Sequence, residues 1–439
     1  MVGPLLMPTA DELEAALRRD VIDKWFPRSL DREYGGFFSD FDYRWNTDGP
    51  NEKLLESQAR HTWFAAEASR FYPSDNRLHQ AVEHGFSYLH DALWDQTEGG
   101  WFHRVDRAGQ PIEEHTKHTH GFGYAVVACV AVYEATGSKT ALDLAQEGFE
   151  WIFRHARDEQ YGGYFGYLRR DGMVIRSPDT RTRWTDTINA PLNCKDISVH
   201  SGLLYTFTQL SRVSPNAKVA DQLGETVDII CKRMTTPLGA HHQYCLANWT
   251  PVPHLTRFGH EFYNAFRLLC AARLLGAREE IVGTARRFVD HAINYGLDRR
   301  YGGFYYAGPG IEPLSLSGQD LTVKEKQSWV QMGALQALLA MHDIAPEEPR
   351  YLKHFQEQWR YVQNYFLDRM HGGVYASSLE DVPWWQQQVL RLAPASITRK
   401  GSIWKDSSHD GHALLYCTSV LKSRKSPSSH ANSRDLDLK

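Results

Sequence analysis

Six polar side chains recur at matched places in a chain whose helical text is otherwise apolar: Arg60, His120, His200, His260, Gln331 and His409. Histidine's ordinary pKa lies near 6.5, so an imidazole can take a proton and return it near neutral pH. A single histidine at a helix start reads equally well as a capping or core residue. Four histidines and an arginine at matching positions are a different case, because each polar group buried without a partner costs on the order of 1–3 kcal/mol. A purely structural repeat would favour small or apolar residues there.

Several chemistries could draw on this set. A zinc site of the HExxH kind needs a second histidine on the same helix face, which "GHEFY" (259–263) lacks. A glycosidase needs two carboxylates flanking a cavity; Glu261, Asp406, Asp186 and Asp196 are equally eligible, and nothing selects a pair. The chain has neither a G-x-S-x-G nucleophile turn nor a cysteine dyad. Proton transfer at carbon fits best. Inverting a stereocentre beside a carbonyl requires a base on each of two opposite walls, and a guanidinium such as Arg60 to stabilise the enediolate formed between the two steps.

The elements that must carry these residues are written as a repeat. "LDREYGGFF" near Gly35, "WDQTEGGWF" near Gly99, "RDEQYGGYF" near Gly162, "LDRRYGGFY" near Gly302 and "LDRMHGGVY" near Gly372 share one phrase, and "TTPLGAHHQY" near Gly239 is a degenerate copy. Acidic residue, Gly-Gly and aromatic in that order predict a tight connection running into a short extended segment. Between the phrases lie two kinds of helix. Segments 121–137, 201–215 and 332–346 are apolar nearly all round and read as buried; segments 141–158 and 280–298 are amphipathic and read as outer. Each buried helix ends at a breaker (Pro73, Gly137, Pro215, Gly276, Pro346) and passes into its amphipathic partner.

Six such pairs closed in a ring predict an all-α (α/α)6 barrel occupying residues 1–422 as a single catalytic domain, followed by a polar, disordered tail over 423–439. Two separate helical domains would fit the composition, but no Pro-, Gly- or Ser-rich linker breaks the repeat. Counting back from the glycine pairs places the six polar residues near the N-terminal ends of the six inner helices, facing one mouth. Of the tryptophans that could stack on sugar faces (Trp63, Trp184, Trp329, Trp384, Trp385, Trp404), Trp329 and Trp404 are best placed.

The bulk properties narrow the setting. With 439 residues, 42% hydrophobic and 23% charged, and a net charge of −4, the chain has material for a large core and no basic field to hold nucleic acid or anionic lipid. Its first residues read as neither a secretory signal nor a membrane span, and its six cysteines, without a CxxC pair, read as reduced core thiols; the expected location is cytoplasmic. A homodimer is one assembly the sequence allows.

The segments "ARHTWFAAEASRFYP" (59–73), "KHTHGFGYAVVACVAVYEATG" (117–137), "FGHEFYNAFRLLCAARLLG" (258–276), "KQSWVQMGALQAL" (326–338) and "IWKDSSHDGHALL" (403–415) resemble the N-acylglucosamine 2-epimerase superfamily, which includes cellobiose 2-epimerases, mannose 2-epimerases and aldose-ketose isomerases. The resemblance runs from about residue 10 to 420. It implies an (α/α)6 barrel, no metal or other cofactor, and a ring-opened sugar as substrate. By the family pattern His260 and His409 resemble the two acid/base residues, Arg60 the residue that binds the substrate oxygens and His200 the one that assists ring opening or orients the carbonyl. Glu261 would hold the tautomer of His260, and Trp404 would shape the sugar pocket, with Trp329, Trp63, His120 and Gln331 completing the substrate-binding set. The chain departs from the family pattern at Gly333, where the family often has Glu, at His412, where it often has Arg, and after His200, where no acidic residue follows. The implied activity is C2 epimerisation of a free aldose of the mannose/glucose, N-acylglucosamine/N-acylmannosamine or β-1,4-disaccharide type. The rival readings are an aldose-ketose isomerase of the mannose-fructose type, a glycoside hydrolase of the same barrel, and a non-catalytic sugar or protein binder.

Overall fold

The computed structural model describes residues 6–112, 116–178, 185–276, 278–312, 315–316, 319–380 and 398–425. The chain opens with helix α1 (Ala10–Ala16), which continues through Leu17–Ile22 and Asp23–Arg28. Inner and outer helices then alternate: α2 (Leu55–Phe71) and α3 (Asn76–Ser87), α4 (Thr119–Thr136) and α5 (Lys139–His155), α6 (Ile197–Val213) and α7 (Ala217–Asp228), α8 (Phe258–Leu275) and α9 (Glu279–His291), α10 (Ser328–Ile344) and α11 (Pro349–Tyr365). The last inner helix, α12, spans Ser407–Lys425.

Burial follows the text of each helix. In α4 every residue from Gly121 to Val132 is buried, and the helix stops at Gly137, whose φ of +73° is the left-handed C-cap that favours glycine. In α9 burial is confined to a stripe through Ile281, Ala285, Phe288 and Val289. Each inner helix packs on the next, α2 on α4, α4 on α6, α6 on α8, α8 on α10 and α10 on α12, and α12 returns to α2, closing the ring. The outer partner of α12 is α1, so the two ends of the described chain meet. Helix α12 continues past residue 423, where the tail was expected; the rest of that tail, from 426, lies outside the described residues.

Five of the glycine phrases form one kind of turn and the fourth a shorter relative of it, closed by the bridges Leu30↔Phe37, Trp94↔Trp101, Arg157↔Tyr164, Thr235↔His241, Leu297↔Phe304 and Leu367↔Val374. Gly36 illustrates why glycine is required: its φ is +65°, and a Cβ there would lie 2.6 Å from Gln58 Oε1. Five turns are tied down by a buried lysine that reaches the aspartate opening the phrase: Lys53–Asp31 (3.2 Å), Lys117–Asp95 (3.2 Å), Lys195–Asp158 (2.8 Å), Lys326–Asp298 (2.7 Å) and Lys400–Asp368 (2.7 Å). The fourth turn is one residue shorter and has Thr236 and Thr256 at the corresponding places. Short antiparallel pairs, such as Lys53–Leu54 with Arg104–Val105, then lock the entry of each inner helix to the turn of the following repeat.

Candidate active site

The heads of the inner helices surround a cavity of about 450 Å³ open to solvent, lined by Arg60, His120, Arg257, His260, Tyr263, Arg267, Trp329, Trp404 and His409 among others. His260 and His409 each occupy the third position of their helices, α8 and α12, and Arg60 the sixth of α2, one turn deeper. The two imidazoles both lie near the half-buried indole of Trp329, with ring centroids 5.4 Å and 6.2 Å from it.

Each imidazole is held by its Nδ1. His260 Nδ1 lies 3.4 Å from Gln243 Oε1, and Gln243 is turned by donating its amide N–H to Asp196 Oδ1 at 3.0 Å. His409 Nδ1 lies 2.8 Å from the hydroxyl of Tyr263, and its Nε2 is 3.4 Å from Arg60 Nη1. Arg60 is in turn fixed by Asp406 at 2.7 Å. Burial, reinforced by Arg257 for His260 and by Arg60 for His409, holds both imidazoles well below the usual histidine range, so both stand as neutral bases near pH 7. Burial alone would raise Asp406, but Arg60, His61, His409 and the Ser408 hydroxyl together outweigh it and bring the carboxyl down to about 2. His120 faces the same cavity with its Nδ1 3.1 Å from Glu56 Oε1. Burial opposes the charge on Glu56, yet His103 and His120 beside it bring its carboxyl down to about 2.

Below this level Arg60, Tyr124, Tyr263, Arg267 and His409 form a waist shared with a second, smaller compartment of about 90 Å³. Arg267 is buried in the waist, donating to Ser201 Oγ (2.8 Å) and Tyr124 Oη (3.2 Å); among the described residues no carboxylate forms an ion pair with it. It is a fixed positive charge facing the cavity.

Arg60, His120, His260, Trp329, Trp404 and His409 therefore share one cavity. Three expectations are corrected. His200 is fully buried away from it: Nε2 accepts the backbone N–H of Tyr164 (3.1 Å) and Nδ1 donates to Asp196 O (2.8 Å), so no proton site is left for a sugar. Gln331 does the same for Phe304, accepting its N–H (2.9 Å) and donating to its C=O (2.7 Å), as Gln58 does for Phe37. His200 and Gln331 are thus clamps on the Gly-Gly turns. Glu261 does not touch His260; its carboxylate takes His291 Nδ1 at 3.0 Å and Thr256 Oγ1 at 3.1 Å, because it projects from the next position of α8, about 100° round the helix. Trp63 belongs to the lower compartment, donating to Glu67 Oε1 (2.6 Å) and packed on His412. Trp184, Trp384 and Trp385 lie outside the described residues.

Sequence reasoning missed Gln243, Tyr263 and Arg267. Tyr263 and Arg267 follow His260 at i+3 and i+7, the spacing of a single helix face, and could have been found by following that face inward. Gln243 lies near the end of the degenerate fourth phrase "TTPLGAHHQY", just past the turn, where the other copies have no matching glutamine to single it out.

The sequence pattern of the family described as N-acylglucosamine 2-epimerase (GlcNAc 2-epimerase) matches residues 36–136 and 210–384. A cellobiose 2-epimerase of Ruminococcus albus is 23% identical over 409 residues, covering 91% of this chain and 96% of the relative. Among solved structures, the cellobiose 2-epimerase from Spirochaeta thermophila superposes with a TM-score of 0.81 at 24% identity, covering 95% of this chain and 97% of that one. A D-mannose isomerase does so with a TM-score of 0.77 at 19% identity, covering 95% and 99%. These likenesses carry the (α/α)6 architecture. No helix among the described residues is long and apolar enough to cross a membrane.

Proposed function

Because the chain belongs to the N-acylglucosamine 2-epimerase family, whose members are isomerases, we propose that it epimerises a free aldose at C2 by proton transfer between His260 and His409. The observation that carries this reading is the pair of depressed, neutral imidazoles that both lie near the indole of Trp329 in one solvent-open cavity. In the forward direction one neutral imidazole removes the C2 proton of the ring-opened aldose, the other takes a proton from solvent while the enediolate stands and delivers it to the opposite face, and the first then releases its proton to solvent. The enediolate between the two steps is an anion, and Arg60 and the carboxylate-free Arg267 supply the positive charge that stabilises it. His120, oriented by Glu56, is the group placed to move a proton at the ring or carbonyl oxygen, the task the sequence had suggested for His200. A β-1,4-linked disaccharide of the cellobiose type is the substrate class favoured by the names of the full-length relatives, and the cavity has room for a second sugar ring outside the reacting one.

The test is a panel of aldoses, cellobiose and mannose included, incubated in D2O and followed by NMR. Deuterium at C2 of an epimeric aldose is the expected result. A ketose as the main product would replace epimerisation with aldose-ketose isomerisation, and release of reducing ends from an oligosaccharide would replace both with hydrolysis. His260→Asn and His409→Asn should each lower kcat by about 10²- to 10⁴-fold with an unchanged circular dichroism spectrum.

A further inference from the structure

We propose that Tyr263 is a positioning residue that holds His409 in its Nδ1–H tautomer, so that the Nε2 lone pair is the one presented to the sugar. The inference rests on His409 being a base of the epimerisation proposed above. Its support is the direction of a three-member hydrogen-bond chain. At one end the backbone carbonyl of Trp329 lies 3.4 Å from Tyr263 Oη and can only accept, so the phenol donates to it. At the other end Arg60 Nη1 lies 3.4 Å from His409 Nε2 and can only donate, so Nε2 carries the lone pair. The 2.8 Å contact in the middle is then fixed: His409 Nδ1–H donates to the Tyr263 oxygen. Burial pushes the Tyr263 phenol well above its ordinary range, which keeps the hydroxyl proton in place for Trp329.

The ring is held as firmly as its hydroxyl. It lies nearly parallel to the indole of Trp329, 16° apart with centroids at 6.2 Å. One turn along the same helix, α10 also presents Gly333, where a Cβ would stand 2.9 Å from Tyr263 Cε2 and 3.2 Å from Cζ. Any side chain at 333 would displace the ring, so the absence of one at this position is what admits Tyr263 to the waist. The proton count is simple. The C2 proton passes to His409 Nε2, its electron pair stays on the sugar as the enediolate, and the imidazolium keeps its Nδ1–H on Tyr263 throughout; the phenol neither gains nor loses a proton.

The test uses the full chain with ¹⁵N-labelled histidine. The expected result is a His409 signal, identified by its loss in His409→Gln, with Nδ1 protonated and Nε2 bare. Tyr263→Phe keeps the ring and removes the acceptor; it should mix the two tautomers and lower kcat by about 10- to 100-fold with little change in KM. Gly333→Ala, which keeps the hydroxyl but pushes the ring, should move both readouts the same way. A wild-type His409 protonated on Nε2, or a Tyr263→Phe enzyme with unaltered tautomer and kcat, overturns the proposal. A wild-type chain inactive on every sugar would sink the epimerase reading while leaving the tautomer measurement to decide the role of Tyr263.

Discussion

His200 and His260 stand one position apart in the register of their helices, the fourth of α6 and the third of α8, and that single step separates a clamp from a base. A step of one residue turns a side chain by about 100°. At the fourth position the inner helices face the Gly-Gly turn beside them: Gln58, His200 and Gln331 all bond the backbone of the aromatic that follows the glycines. At the third position His260 and His409 face the axis. This predicts that His200→Gln, which installs the residue used by two other repeats, keeps activity within a few-fold and stability within about 1 kcal/mol. His200→Ala leaves the N–H of Tyr164 unpaired and should cost about 1–3 kcal/mol in urea denaturation. A His200→Gln enzyme that folds normally but loses turnover as severely as His260→Asn would return His200 to the catalytic set. The sequence could not separate the two histidines because counting from the glycines gives offsets of 39 to 42 residues, a spread of three that covers most of a helical turn. Residue type was legible; the face was not.

The element that repeats most faithfully is the turn rather than the helix. Each of five turns spends a lysine and an aspartate, both nearly or fully buried, on fixing its glycines against the next inner helix, and Lys195 also donates to the carbonyls of Gly162 (2.5 Å) and Ala247 (2.7 Å). A charge buried among such partners is costly to orphan but less costly to replace as a pair. Asp158→Ala should therefore destabilise the protein by about 3–5 kcal/mol, and Lys195→Met combined with Asp158→Leu should recover most of that loss. Asp143→Ala breaks the exposed Lys139–Asp143 pair and should change stability by less than about 0.5 kcal/mol. Equal effects of Asp158→Ala and Asp143→Ala on the denaturation midpoint would show that the turns do not depend on their ion pairs. The aspartates were visible in the repeated phrase. Their lysines were not, because each sits beyond its own phrase, four of them two residues before the inner helix and Lys400 seven before α12, and meets its partner only once the repeat has folded.

For the whole molecule, the alternation of fully apolar and amphipathic helices was enough to predict the barrel, since only a closed ring buries six inner helices on every side. How the ring closes was harder to read. Five inner helices are followed by their outer partners, but α12 is followed by polar text, and the stripe that covers it comes from the first helix of the chain, at the opposite end of the sequence. Leu13 of α1 and Leu414 of α12 are both fully buried in one continuous core, and Glu14 reaches Lys422 at 2.7 Å across the seam. If the seam is part of the same cooperative unit as the rest, Leu13→Ala and Leu414→Ala should each cost about 2–5 kcal/mol. Each should also shift a single thermal transition that far-UV circular dichroism and tryptophan fluorescence report together. The tryptophans make the comparison informative, because Trp151 sits on α5, away from α1 and α12, and Trp25 just beyond α1. A transition that splits in Leu13→Ala, with fluorescence and dichroism melting at different temperatures, would mean that the first helix docks onto a barrel already complete without it. Coincident transitions, lowered by comparable amounts from both ends of the chain, would mean that the cavity holding His260 and His409 exists only when the two ends meet.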